Sequence, residues 1–378
     1  MTDQEKYQNF IDYVNNPIIK FTDSEHMMPM IREFITPEEA AFLTGFPLGG
    51  KTLEEIAEIK QMDMEEVTKE VKRLCAKGII YESIRESGRR YKMWSTIEIF
   101  SRIPYWNGKD EEPNKSTAAH FNKYWADGFI DQVKSMKHTE LRSIPIQQTV
   151  EMPTGFMPFE DIVQVIDNYD YYTVSACPCR ARHRLDPDFE DSKYPEEVCL
   201  HFNELGRYCV ENGHGREITK EETLEILKRS AEAGLVHGIA NAEEDPETIC
   251  NCDLEYCNYF RRYYHLDFDR SIEPSNYKVK VTEEACKACG LCVKRCPMDA
   301  LQLKVSAKAT NKFRKAVALE EKFCIGCGVC VYKCKSGAII LERKPEAEIT
   351  RSPRTEKELI RENVMSAFAA LEQQKEKN

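Results

Sequence analysis

Two groups of four cysteines stand near the C-terminal end of the chain in one pattern, C-x2-C-x2-C-x3-C. The first is Cys286, Cys289, Cys292 and Cys296, followed by Pro297; the second is Cys324, Cys327, Cys330 and Cys334. Their first members lie 38 residues apart. Soft thiolates are the ligands that iron takes in a cubane. Three thiolates at this short spacing wrap a loop around three irons of one cube. The fourth begins a helix that points away from that cube and reaches toward another. Gly290, Gly326 and Gly328 let backbone amides approach the sulfurs, which tunes such a centre. Eight cysteines in this doubled order argue for iron–sulfur cubanes over zinc.

The doubled pattern resembles the bacterial ferredoxins with two 4Fe–4S clusters, over about 70 of the 378 residues. The resemblance implies that Cys286, Cys289, Cys292 and Cys334 hold one cluster. It implies that Cys324, Cys327, Cys330 and Cys296 hold the other. It also implies a position toward the low end of the range, roughly −700 to +450 mV, that such centres cover. Lys335 follows the second run where the family often has proline, which removes no ligand.

A second cysteine field lies between residues 177 and 257. It comprises Cys177-Pro-Cys179-Arg180, Cys199, Cys209, Cys250-Asn-Cys252 and Cys257. This is not a ferredoxin spacing. Each C-x-C pair is expected to need a turn to bring both thiols to one ion, and Pro178 is placed to supply it. Cys177, Cys179, Cys199, Cys250, Cys252 and Cys257 are the candidate ligands of a third centre, either an iron–sulfur cluster or zinc. Thiols without metal are the remaining alternative. Cys209 and Cys75 have no partner at metal spacing and read as structural thiols. His183 and His237 are candidate ligands or proton donors, although a lone histidine is more often a satisfied residue. Arg180 and Arg182 either offset thiolate charge or belong to the surface.

This segment resembles a cysteine-rich domain found beside ferredoxin modules in iron–sulfur proteins of anaerobic bacteria and archaea. The likeness runs through Ala176-Cys-Pro-Cys-Arg180, Cys199, Gly234-Leu-Val-His237, Asn241 and Ile249-Cys-Asn-Cys252. Members usually carry a denser cysteine string where this chain reads Cys252-Asp-Leu-Glu-Tyr-Cys257. The resemblance implies a place in an anaerobic oxidoreductase system.

The elements that must position these residues are those of an α+β multidomain chain. Residues 1–95 read as a helical lead-in followed by three helices and a hairpin. Thr36, Thr52 and Asp63 are the helix caps, with Pro37 at the first turn and Glu55 completing a capping box. Strands are expected on either side of Glu86-Ser87-Gly88. The layout looks like a winged helix-turn-helix. Residues 96–275 form a mixed α/β cysteine-rich middle domain whose aromatics, Phe100 to Phe129, are expected to pack a core. Residues 276–345 are the ferredoxin-like two-cluster domain, and residues 346–378 end in a charged helix.

The net charge of −11 argues against a dominant nucleic-acid role and suits redox partner proteins with basic faces. No apolar run is long enough to span a membrane, and Met1 to Phe10 lack a signal-type apolar segment, so a cytoplasmic location is expected. Gly45 to Thr52 fits a phosphate-loop pattern but lacks the preceding strand that pattern requires. No nicotinamide or flavin fingerprint appears. The expected role is single-electron transfer through two 4Fe–4S clusters to a further centre or a partner enzyme. A redox-sensing transcription regulator is one alternative, with DNA binding resting on a basic wing (Arg85, Arg89, Arg90, Lys92) beside a helix of mixed charge. A reductase with its active site in the second cysteine field is the other. A second copy of the chain is a candidate partner of the C-terminal tail.

Overall fold

The computed structural model describes residues 1–15, 21–85, 88–129, 133, 136–146, 161–244, 246–265 and 271–377. The chain divides into two compact units, each assembled from separated segments. The first comprises Met1–Lys137, Asp170–Thr219 and Glu362–Asn378; the second comprises His138–Tyr169 and Lys220–Arg361.

The first unit opens with α1 (Asp3–Val14), α2 (Met27–Phe34), α3 (Pro37–Leu43), α4 (Leu53–Lys60) and α5 (Met64–Ala76). Their starts are written locally. Thr36 and Thr52 each accept the backbone N–H three residues on, and Glu39 and Glu55 answer at the cap backbone. The Asp63 side chain accepts from the N–H groups of Glu65 and Glu66. Strands β1 (Ile80–Arg85) and β2 (Gly88–Met93) pair antiparallel. Glu86 and Ser87 of the expected turn lie outside the described residues. Lys51 adds a short bridge to Tyr91 through two backbone hydrogen bonds of 3.0 and 2.7 Å. Its Nζ donates to Glu55 Oε1 at 2.8 Å. A helix, α3, precedes this segment, so it lacks the strand-to-helix frame of a phosphate loop.

Much of the basic charge here is already engaged. Buried Glu39 accepts from Arg73 and Lys77, at 2.7 and 2.6 Å. On the hairpin, Arg89 pairs with Glu82 and Glu211 at 2.6 and 2.7 Å. Beyond the hairpin come α6 (Thr96–Ser101) and α7 (Asn114–Tyr124). Phe100, Tyr105, Trp106, Phe121, Tyr124, Trp125 and Phe129 are all buried, as core packing requires. Cys75 is buried on α5, and burial pushes its thiol pKa well up, which leaves it inert.

The chain then enters the second unit with β3 (Leu141–Ser143) and α8 (Ile162–Asp167). It returns to the first with β4 (Tyr172–Ala176), α9 (Pro178–Arg184), β5 (Glu197–Phe202), α10 (Asn203–Glu211) and β6 (Arg216–Ile218). Strand β4 pairs antiparallel with both β5 and β6. From Lys220 onward come α11 (Lys220–Ala233), β7 (Val236–Ala240), β8 (Thr248–Cys252) and α12 (Asn258–His265) in the second unit. There β7 lies antiparallel to both β3 and β8. The cysteine-run segment adds β9 (Tyr277–Val281), α13 (Leu291–Arg295), β10 (Leu301–Val305), β11 (Lys315–Leu319) and β12 (Ile339–Arg343). Strand β9 pairs with β12, and β10 pairs with β11. A final helix, α14, spans Glu356–Lys377. No described helix is long and apolar enough to cross a membrane.

Candidate iron–sulfur sites

The two C-terminal cysteine runs are built alike. A one-turn 3-10 helix, Glu283–Ala285 in one and Glu321–Phe323 in the other, delivers the chain to Cys286 and to Cys324. The loops then turn through positive φ at Gly290, Gly326 and Gly328. Gly326 is the most confined. A Cβ there would lie 2.2 Å from the Tyr277 carbonyl oxygen and 2.3 Å from Ser275 Oγ, so only glycine fits. Ser275 fastens the same turn, its Oγ donating to Gly326 O at 2.9 Å and its N–H to Ile325 O at 3.0 Å. Backbone amides face the sulfurs. Ala288 N–H donates to Cys286 Sγ at 3.4 Å, and Ala300 N–H to Cys296 Sγ at 3.3 Å. Val293 and Val329 N–H groups serve Cys292 and Cys327 likewise.

The electrostatic neighbours of Cys292 and of Cys327 form two separate sets, and Cys330 answers most to the second while also sensing Cys292. Cys292 is pushed up to about 11, chiefly by burial and then by Cys289, Cys334 and Cys286. Cys327 is taken up to about 12, chiefly by burial and then by Cys324 and Cys296. Cys330 is raised by burial and then by Cys327, Cys296, Cys324 and Cys292. Without metal these thiols would stay protonated at neutral pH. Bound iron supplies the positive charge that lets buried thiolates exist, so the donor set and its amide-lined loops fit an iron–sulfur group.

The six candidate ligands of the second field divide three and three between the units. In the first unit Cys177 caps α9 and Cys179 sits in its first turn, with Pro178 between them as expected. The hydrogen bond between the two thiols raises the Cys177 pKa, and burial adds to it. Cys199 is buried on β5, in register with Ser175. Arg180 and Arg182 are not surface charges. Both are buried, and the Cys177 thiol is eased downward by the nearby Arg180. Arg180 donates to Pro195 O at 2.5 Å; Arg182 donates to Ser101 O at 2.6 Å and to Asn122 Oδ1 at 2.7 Å. Two held guanidiniums beside two thiols offset thiolate charge. His183 Nδ1 is 2.6 Å from Cys179 O, and Cys209 is buried on α10.

In the second unit, no turn is needed to unite Cys250 with Cys252, which corrects the expectation for this pair. Strand β8 is extended, so residues two apart share one face. The Cys252 thiol hydrogen-bonds with both Cys250 and Cys257, and burial raises it further. Asp253 makes this possible. Its Oδ1 accepts from Glu255 N–H at 2.9 Å and Tyr256 N–H at 2.8 Å, curling the chain so that Cys257 returns to Cys252. An aspartate followed by a four-residue return to cysteine is an Asx-turn signal that a reading of cysteine spacing alone passes over. His237 is buried with Nδ1 2.6 Å from Asn251 Oδ1, and burial lowers its pKa to about 4, so it is neutral.

Cys252 and Cys257 share one apolar core with Ile325, Cys327 and Val329, and Cys250, Cys296 and Cys324 pack against it. Arg295 helps hold this arrangement. It donates to Val329 O at 3.2 Å, Glu232 O at 3.1 Å and Ala231 O at 2.8 Å, tying the second loop to the end of α11. Among the described residues no three His, Cys, Asp or Glu side chains stand as ligands around a single metal ion. A cubane differs from a single ion in presenting separate iron corners, so its thiolates need not meet at one point.

A family model described as a 4Fe-4S dicluster domain matches residues 278–335. The chain matches no curated protein and no solved structure. Residues 278–335 therefore form an iron–sulfur module of ferredoxin type within a longer mixed α and β chain.

Proposed function

We propose that this chain is an electron-transfer component of an anaerobic oxidoreductase system, relaying single electrons through two 4Fe–4S clusters toward a further cysteine-held centre. One-electron exchange is the chemistry the clusters supply when bound. The observation that carries the reading is the sorting of the thiols inside the dicluster match. Cys292 neighbours Cys286, Cys289 and Cys334, Cys327 neighbours Cys324 and Cys296, and Cys330 feels Cys327, Cys296 and Cys324 more strongly than Cys292. This supports Cys286, Cys289, Cys292 and Cys334 as one ligand set, and Cys324, Cys327, Cys330 and Cys296 as the other. The chain's own residues hold the thiolates, bury Cys286, Cys327 and Cys330, and aim amide N–H groups at the sulfurs. Those are the levers that tune potential.

Cys250, Cys252 and Cys257 are the part of the third centre best supported, since Cys252 hydrogen-bonds with both of the others and Cys252 and Cys257 share a core with Cys327. Three thiols from one unit would leave a coordination position for a fourth group, which favours a second reading, a reductase acting at this centre. The helices and hairpin of residues 36–95, with the Lys51–Tyr91 bridge, support a winged helix used for dimerisation or partner docking. The division at residues 95, 275 and 345 goes with this reading.

The test is anaerobic analysis of iron, zinc and sulfide with EPR of the reduced protein. About twelve irons per chain would support three cubanes, and about eight would support the ferredoxin pair alone. Zinc at one per chain with eight irons would replace the third cluster by a zinc site. Fewer than about four irons would sink the electron-transfer reading.

A further inference from the structure

The charge of the cysteine-run segment is opposite to that of the whole chain. Residues 276–345 hold 15 Lys and Arg against 6 Asp and Glu, in a protein of net charge −11. The excess gathers on the β10–β11 hairpin. Residues 301–319 carry Lys304, Lys308, Lys312, Arg314 and Lys315 and no acidic residue. All five are exposed, and none forms an ion pair with a described residue. Lys287 and Lys294, flanking the first cysteine loop, are exposed as well.

This hairpin is fastened to the first cysteine run. Asn311 Nδ2 donates to Cys286 O at 2.9 Å and to Lys315 O at 2.6 Å. Thr310 Oγ1 donates to Glu284 O at 2.9 Å. The Cys289-Gly290-Leu291 turn rests against Leu303 of β10. Beside the charges, Cys289 is exposed, and three large apolar side chains stand out into solvent: Leu291 at 40%, Phe313 at 57% and Val305 at 79%. Apolar contacts ringed by unpaired charge of one sign are the makings of a protein docking site.

We propose that the β10–β11 hairpin and the Cys286–Lys294 loop form the docking face for an acidic one-electron carrier protein. The proposal rests on the electron-transfer reading above. Charge complementarity commits the occupant. Unpaired cations at the thiol-bearing edge attract an acidic face, speed encounter and orient it. This reverses the sign that the net charge of the chain alone implies. Phe313 and Leu291 then provide the contact area that unscreened charge cannot. The exchange itself moves one electron from carrier to chain, with no atom or proton transferred.

The experiment uses the full iron-loaded chain and an acidic bacterial ferredoxin as probe, with dissociation constants measured by calorimetry at low and physiological ionic strength. Binding is expected to weaken steeply with salt. The variant K304E/K308E/K312E should weaken it at least about tenfold at low salt. K304Q/K308Q/K312Q serves if the reversal misfolds, and should weaken it by a smaller factor. K228E/K357E, which reverses exposed charges elsewhere in the same unit, should leave binding unchanged. Equal binding of wild type and both hairpin variants, with iron content intact, overturns the docking face. Duplex DNA competing as well as the ferredoxin at equal ionic strength overturns the occupant. Loss of iron from the wild-type chain would instead count against the underlying reading.

Discussion

Gly326→Ala is the sharpest probe of how the second cysteine loop is held. The residue has φ +65°, and an added Cβ would sit 2.2 Å from Tyr277 O and 2.3 Å from Ser275 Oγ. A left-handed alanine costs about 1–2 kcal/mol. Overpacking against backbone adds about 1–3 kcal/mol, because Tyr277 O belongs to β9 and cannot swing aside as a flexible side chain would. Relief of the clash also strains the Ser275 hydrogen bonds, each worth about 1 kcal/mol. The loss is therefore about 2–5 kcal/mol, concentrated where Cys324, Cys327 and Cys330 are presented. Gly337→Ala is the matched control. Its φ is +63°, and none of the described residues lies within 4 Å of an added Cβ, so only the backbone penalty of about 1–2 kcal/mol applies. The assay is anaerobic iron content together with the thermal midpoint of each variant. Gly326→Ala should lose roughly half the iron of the cysteine-run segment and melt well below Gly337→Ala. Equal iron and equal melting of the two variants would refute the argument from crowding.

Other consequences follow from the same contacts. Cys252→Ser removes the thiol that touches both Cys250 and Cys257, and should lower iron by about four per chain while leaving the signals of the ferredoxin pair in EPR. Arg295→Ala should release the second cysteine loop from α11, costing about 2–4 kcal/mol for three lost charge-assisted bonds and speeding iron loss to a chelator. His214 should make the first unit acid-sensitive. It is buried with Nε2 3.0 Å from Cys75 O, Nδ1 has no partner among the described residues, and its pKa falls to about 4 from 6.5. Because the folded value is depressed, the unfolded chain takes the proton first. Stability is thus full above pH 6.5 and is lost as pH falls toward 4, by about 2 kcal/mol at pH 5. Denaturant unfolding of wild type and His214→Gln at pH 7 and pH 5 checks this, with the slope expected to vanish in the variant.

The features legible in the chain alone were local. The C-x2-C-x2-C-x3-C runs point to cubane ligands because their chemistry depends on spacing over ten residues. The Thr52–Glu55 capping box and the Thr36 cap before Pro37 are legible for the same reason, since cap and partner lie within three residues. Pro178 marks the start of α9 through its own fixed φ. Everything that required distant segments to meet was decided by tertiary structure. Burial turned Arg180 and Arg182 from candidate surface charges into held neighbours of Cys177. Glu39, 34 residues before Arg73, captured charge that a sequence reading assigns to a helix face. The Asp253 turn returned Cys257 to Cys252, and one shared core placed that trio beside Cys327. Hydrogen bonds from Asn311 and Thr310 fastened a basic hairpin to the first cysteine loop. Thiol spacing is a property of a short stretch of backbone. The field around a thiol is a sum over whatever the fold brings near it, and no short stretch contains that sum.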